Sequence, residues 1–168
     1  MGNEPFLWNV FDLEDEPDPT GNDAIVYGID AVGNAYEETF DKVVIPALKK
    51  RNNSGMVVFG ATIEKMASDM HRVLFLAEHL SKEPKGELGE IDKEFYGMLK
   101  NLIAALDNLS EVSMRDDATI DKIRKAFIHV ESETDILFRR ADVLCKDRWR
   151  GPFLGLIHRI SDALKIAE

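Results

Sequence analysis

The chain has 168 residues and a mass of 19.0 kDa, with 45% hydrophobic and 31% charged residues, which are typical values for one globular domain. No run approaches the ~18 apolar residues of a membrane span, and the N-terminus lacks the basic and apolar regions of a signal peptide, so we expect a soluble cytoplasmic protein. The net charge of −10 argues against a general nucleic-acid-binding protein, because neutralising phosphates requires surplus lysine and arginine.

The negative charge is concentrated at the start of the chain. Residues 1–41 contain eleven acidic residues and no lysine or arginine, whereas the other 127 residues carry 20 acids against 21 bases. The exclusion of nucleic acid is therefore weaker for the later part of the chain than for the whole. The eleven acids are Glu4, Asp12, Glu14, Asp15, Glu16, Asp18, Asp23, Asp30, Glu37, Glu38 and Asp41.

Residues 1–22 are predicted to form an acidic irregular arm, because three prolines and a run of acids disfavour regular structure. Aromatic side chains beside dense acids are typical of segments that dock into an apolar groove rimmed by positive charge. The alternative is that the aromatic residues pack onto the helices of this same chain. The arm residues predicted to bind a partner are Phe6, Trp8, Phe11, Asp12, Glu14, Asp15 and Glu16.

Apolar residues recur every three or four positions over 25–48, which predicts the first helix. Asp23 is its expected N-cap, while Gly28, Gly33 and Pro46 are expected to weaken or kink the helix. The expected core positions are Ile25, Ile29, Val32, Tyr36, Phe40, Val43 or Val44, and Ala47 or Leu48.

A turn over residues 51–55 separates the first helix from a second one with apolar positions over 56–80. The second helix is expected to end near Glu83, ahead of the Pro-Lys-Gly sequence that follows. A third helix is predicted from the apolar periodicity over 91–112.

A fourth helix is expected to begin near Asp117 or Thr119 and to carry its apolar stripe over 120–144. The last helix is expected to begin at Pro152, because proline suits the first helical position. Its apolar face is predicted over 154–164.

These elements predict an all-α fold, an antiparallel bundle of four long helices plus a shorter C-terminal helix. The connections are short, and no linker divides the helical part of the chain. We therefore expect two regions, the arm at 1–22 and a single helical-bundle domain at 23–168.

The histidines and the cysteine indicate no metal or cofactor. His71 and His79 are eight positions apart, and neither a Glu-x-x-His nor a His-Glu-x-x-His sequence occurs. Cys145 is the single cysteine, so it has no second cysteine with which to form a disulfide or to share a metal ion. A helical small-molecule binder is a further alternative, because methionines form adaptable cavities as well as ordinary core. The methionines concerned are Met56, Met66, Met70 and Met98.

Arg124 and His129, with four residues between them, form an Arg-x4-His sequence in the fourth helix. This spacing resembles the motif of the HEPN superfamily of helical-bundle ribonucleases from toxin and defence systems. The resemblance implies that the arginine stabilises phosphate charge and the histidine acts as acid or base, in a site formed across a dimer. Lys125 stands where that motif usually has Asn or Asp.

A basic segment near the C-terminus is the other charged feature of the chain. Residues 139–159 contain six bases and two acids, with Trp149 among them. Cations complement the dipole of a helix C-terminus, but arginine and tryptophan also favour a docking surface for a partner. The predicted partner-binding residues in this segment are Arg148, Trp149 and Arg150.

The sequence therefore favours a non-enzymatic interaction protein, such as an inhibitor, immunity protein, antitoxin or adaptor. Its expected partner is another protein with a basic surface, and a homodimer is a further expectation. Direct nucleic-acid binding is left open only for the basic C-terminal segment. The ribonuclease that uses Arg124 and His129 is the alternative.

Overall fold

The computed structural model describes residues 22–81, 92–145 and 151–166, and all the regular structure in these ranges is helical. The first three helical segments follow one another without a break, so the described ranges contain four long helical rods and a shorter C-terminal helix. The prediction of an all-α fold is confirmed. None of the described helices combines the length and apolarity that spanning a bilayer requires. The segments are α1 (Asn22–Thr39), a π-helical turn (Phe40–Val44), α2 (Ile45–Lys49), α3 (Asn53–Ser81), α4 (Lys93–Met114), α5 (Ile120–Cys145) and α6 (Pro152–Ile166).

The expected kink at Pro46 takes the form of the π-helical turn. The backbone N–H of Ile45 donates to the carbonyl of Phe40, five residues earlier, and Pro46 has no N–H to continue an α-helical ladder. The extra residue in this turn changes which side of the rod the following residues face. It therefore decides between the alternative core positions Val43 or Val44 and Ala47 or Leu48. Val44 and Leu48 are fully buried, whereas Val43 is exposed.

The start of α1 differs slightly from the prediction. The helix begins at Asn22, so Asp23 lies inside the first turn and is not the N-cap. An acid in the first turn still complements the positive end of the helix dipole. The side-chain oxygen of Asn22 accepts a hydrogen bond from the backbone N–H of Asp92 at 2.8 Å, which joins the starts of α1 and α4.

The turn between α2 and α3 is tighter than the predicted span of 51–55. Arg51 adopts a left-handed conformation with φ of 56°, and the side-chain oxygen of Asn52 caps α3 by accepting from the N–H of Gly55 at 2.8 Å. A Cβ on Gly55 would lie 2.1 Å from the carbonyl oxygen of Ala47, so this turn requires glycine.

Helices α4 and α5 both begin at side-chain caps, and Thr119 is one of the two starts predicted for α5. Asp92 caps α4 by accepting from the N–H of Phe95 at 2.8 Å, and Thr119 caps α5 by accepting from the N–H of Lys122 at 3.1 Å. Helix α6 begins at Pro152, as predicted.

The core forms where the apolar stripes of the rods meet. Helix α3 packs along α4 and α4 packs along α5, while α1 packs against α3 and α6. Each of the four rods and α6 contributes a fully buried phenylalanine, and the rings of Phe40 and Phe59 meet edge to face at 6.4 Å. The five phenylalanines are Phe40, Phe59, Phe95, Phe127 and Phe153.

Two glycines inside α1 mark close helix contacts. A Cβ on Gly33 would lie 2.4 Å from the backbone nitrogen of Phe153, and one on Gly28 would lie 2.4 Å from Cγ1 of Val73. Glycine at these positions lets α1 approach the start of α6 and the side of α3.

Candidate functional site

Arg140, one of the six bases near the C-terminus, joins α5 to the start of α4. Its Nη2 and Nε contact the two carboxylate oxygens of Asp92 at 2.7 and 3.3 Å, and its Nη2 lies 3.7 Å from Glu94. The hydrogen bonds from Arg140 and from the N–H of Phe95 hold the pKa of Asp92 below its ordinary value. Arg140 therefore holds two helices together.

Arg159 connects α6 to the acidic part of the first rod. Its Nε donates to Asp41 at 3.0 Å, and its Nη2 lies 3.8 Å from Glu37. Asp41 and Glu37 belong to the acidic first 41 residues, so part of this acidity is directed at one base of the basic segment. This contact lies in the helical part of the chain and does not involve the arm.

Arg139 is the third described base of the basic segment. Its Nη2 lies 2.8 Å from the carboxylate of Asp135, one turn earlier on α5, and its side chain is 79% exposed. Of the three described bases, Arg139 alone points its charge mainly into solvent.

The residues predicted to bind a partner lie outside the described ranges. They are Phe6, Trp8, Phe11, Asp12, Glu14, Asp15 and Glu16 of the arm, together with Arg148, Trp149 and Arg150. Their role stays a prediction.

The structure divides the acidic first 41 residues into two groups. Six of the eleven acids precede α1, and five lie on α1 and the π turn. Asp30 is buried, and Glu38 pairs with Lys42 at 2.9 Å. Since Glu37 and Asp41 both contact Arg159, four of the five helical acids are buried or ion-paired.

Arg124 and His129 lie on different sides of α5, about 140° apart at about 100° per residue. The side chain of His129 is 65% exposed, and its Nε2 lies 4.0 Å from Glu133. The side chain of Arg124 is 28% exposed and lies 3.9 Å from Asp121. Within one chain, these two side chains do not converge on a common point.

The other described polar pairs show no cluster suited to metal binding. His71 of α3 contacts Asp107 of α4 at 3.3 Å in an exposed position, and no group of three metal-ligating side chains occurs among the described residues. Met66 and Met70 are fully buried in the core and Met56 almost so, which is the ordinary core role of methionine.

Two tyrosines connect helices through carboxylates. The hydroxyl of Tyr36 on α1 donates to Asp69 on α3 at 2.6 Å, and burial together with this hydrogen bond raises the pKa of Tyr36. The hydroxyl of Tyr96 on α4 donates to Glu78 on α3, and this hydrogen bond raises the pKa of Tyr96. Both contacts stabilise helix packing.

The sequence prediction missed the outward side of α5. Ile128, Ile136 and Val143 are exposed there, whereas the residues of the predicted apolar stripe of this helix are buried or partly buried. The signal was present in the sequence, because these three apolar residues fall outside the stripe that faces the core. We call the surface formed by Ile128, Ser132, Ile136, Arg139 and Val143 the outer face of α5.

Comparison of the chain with protein-family models, with curated proteins and with solved structures found no match.

Proposed function

We propose that this protein is a non-enzymatic interaction module, an inhibitor, immunity protein, antitoxin or adaptor that binds another protein with a basic surface. The observation that carries the proposal is the separation of charge along the chain. Residues 1–21 hold six acids and no base, and nearly all the acids that follow on the first rod are buried or paired. The arm therefore holds most of the negative charge of the first 41 residues that is not used in contacts of the first rod.

The proposed architecture is an antiparallel bundle of four long rods with α6 as the shorter fifth helix, preceded by the arm, whose predicted last residue, Asn22, is the first residue of α1. The packing of α3 along α4 and of α4 along α5, with a connection of only five residues between α4 and α5, supports this arrangement. Such a bundle gives the arm and the exposed helix surfaces a rigid base.

In this proposal, acids and aromatic residues of the arm have different tasks. The acids attract a basic partner surface over a distance and speed association. The aromatic residues Phe6, Trp8 and Phe11 then supply apolar contact area, as buried aromatic anchors do in many interfaces. Arg148, Trp149 and Arg150 form the second proposed contact region.

The test is a capture experiment with the full-length chain as bait in a lysate of the source cells, followed by mass spectrometry. Alanine at the three aromatic positions, or neutralisation of the arm acids, is expected to abolish capture of a partner that has a basic surface. The neutralised positions are Asp12, Glu14, Asp15 and Glu16.

A control variant neutralises the same number of exposed acids elsewhere on the surface. It is expected to capture the partner as the unaltered chain does, because those acids are remote in sequence from the arm. Equal loss in both variants, or no loss in either, would contradict the role of the arm. The control positions are Glu64, Asp107, Asp116 and Asp162.

An RNA-cleavage assay with the purified chain tests the enzymatic alternative separately. The proposal expects no cleavage and expects His129→Ala to keep the biological effect. Cleavage that disappears in both His129→Ala and Arg124→Ala would replace the interaction proposal with the ribonuclease.

A further inference from the structure

Helix α5 has two apolar faces. The first faces the core and includes Ile123, Phe127 and Val130, which are almost completely buried. The second lies about 180° away, since about 100° separates successive residues of an α-helix. It contains Ile128, Ile136 and Val143, with exposed fractions of 60%, 41% and 64%.

The exposed apolar residues of α5 differ from isolated surface residues in being aligned. Single exposed apolar side chains are normal on soluble proteins, whereas aligned ones mark contact surfaces. Ile128 and Val143 lie about 22 Å apart along the helix, with Ile136 near the midpoint between them. Of the other exposed large apolar residues, Val43 lies on the π turn, and Val57 and Phe75 lie on one side of α3 but about 27 Å apart, with no exposed large apolar residue between them.

The spacing on the outer face of α5 is close to symmetric about Ile136. When a second α5 is laid antiparallel on the first around a twofold axis near Ile136, each Ile128 faces Val143 of the other copy. The two Ile136 side chains meet on the axis. A surface that pairs its own ends in this way is suited to an isologous contact.

One ion pair beside this row, between Asp135 and Arg139, is also self-complementary. Asp135 and Arg139 are 61% and 79% exposed and lie on the same side of the row. In the antiparallel arrangement, Arg139 of one copy lies within about one helical turn of Asp135 in the other. For this pair the arrangement brings opposite charges together, beside the apolar residues of the row.

We propose that the outer face of α5 binds a second copy of this chain, through an antiparallel α5–α5 contact with its twofold axis near Ile136. The helix is 26 residues long, about 39 Å, but only three apolar residues per copy line the row. A stable interface usually buries about 800 Å² on each partner, so this narrow contact gives a dimer that dissociates on dilution. The proposal concerns a different surface from the arm and stands independently of the proposed function.

The first experiment measures the mass of the purified full-length chain by sedimentation over a wide concentration range. We expect the mass to rise from monomer to dimer at micromolar concentration. Ile136→Asp places two carboxylates on the axis and is expected to weaken dimerisation by at least about a hundredfold. Val57→Asp, which alters an exposed valine on α3, is the matched control and should leave the dimer unchanged.

A second experiment tests the geometry. Ile136→Cys, combined with Cys145→Ser, is expected to give a disulfide-linked dimer on mild oxidation, because the two side chains meet on the axis. Val57→Cys, also combined with Cys145→Ser, should give no disulfide-linked dimer. Arg139→Asp is expected to weaken the dimer, and adding Asp135→Arg is expected to restore it by reversing both members of the pair.

A wild-type chain that stays monomeric throughout the range would overturn the proposal, and the face would then be open to the arm or to a foreign partner. A dimer that survives Ile136→Asp would overturn it as well. Circular dichroism of each variant confirms folding, and a folded monomeric Ile136→Asp beside a dimeric Val57→Asp supports the proposal. Neither result changes the outcome expected for the arm variants in the capture experiment.

Discussion

Asp92 performs two tasks with one carboxylate. It caps α4 by accepting a hydrogen bond from the N–H of Phe95, and it accepts hydrogen bonds from Nε and Nη2 of Arg140 on α5. A cap is readable from sequence because its partner is three residues away. The arginine is 48 residues away, so helix packing decides that contact.

Substitutions at Asp92 separate these tasks. Asp92→Asn keeps a capping oxygen and removes the charge, so it is expected to destabilise the fold by losing the pair with Arg140. Asp92→Ala also removes the cap and should cost about 1 kcal/mol more in the free energy of unfolding. Urea denaturation of both variants and the unaltered chain measures the difference.

The contribution of the Asp92 pair also depends on pH. The folded pKa of Asp92 is lowered, so its contribution is complete above about pH 4 and is lost as the pH falls through that lowered pKa. The stability gap between the unaltered chain and Asp92→Asn is therefore expected to narrow in acid. A gap that stays constant from neutral pH into acid would contradict this assignment.

Tyr36 is expected to show the opposite pH behaviour. Its folded pKa is raised, so its contribution is present below about pH 10 and is lost as the pH rises through the raised value. In the folded protein, Tyr36→Phe is expected to leave the ultraviolet absorbance change between about pH 9 and 11 unaltered. In urea, the unaltered chain should titrate three tyrosines and the variant two. A smaller change for the folded variant would contradict the raised pKa.

At the scale of helices, Gly33 and Gly97 are two glycines inside helices that differ in the space around them. A Cβ on Gly33 would meet the backbone of Phe153 at 2.4 Å, whereas nothing lies within 4 Å of a Cβ on Gly97. Gly33→Ala is expected to destabilise the fold by about 1–3 kcal/mol, because α6 must move away from α1. Gly97→Ala should stabilise it by about 0.5–1 kcal/mol through helix propensity. Thermal denaturation compares the two, and equal signs would contradict this account of α1 packing.

The first rod shows how far local rules reach. The residue spacing predicted one helix over 25–48, and the missing N–H of Pro46 predicted a disturbance. The choice of Val44 over Val43 for the core depends on the π turn, which changes the phase of the residues that follow. Periodicity alone left both positions open.

At the scale of the whole molecule, charge is arranged by long-range pairs. The contact between Arg159 and Asp41 joins residues 118 positions apart. Acids of the first rod therefore hold Arg159, one base of the basic segment. Removing the arm alone is not expected to break these contacts.

Neutralising Glu37 and Asp41 together should therefore expose Arg159 and raise affinity for a polyanion. The double variant Glu37→Gln, Asp41→Asn is expected to elute from immobilised heparin at higher salt than Glu64→Gln, Asp162→Asn, which has the same net charge. Equal elution would show that net charge alone controls retention.

The sequence by itself determined the helical class, the start of α5 near Asp117 or Thr119 and the start of α6 at Pro152, because these depend on local spacing and on the residue types that begin a helix. Only the tertiary structure decided which charges pair, why Gly33 must be glycine, and which apolar residues of α5 stay outside the core. These properties arise where helices that are distant in sequence meet. The spacing of residues along the chain does not show which helices will be in contact. The net charge of −10 is thus composed of six acids in residues 1–21, five acids on the first rod of which four are paired or buried, and a nearly neutral remainder.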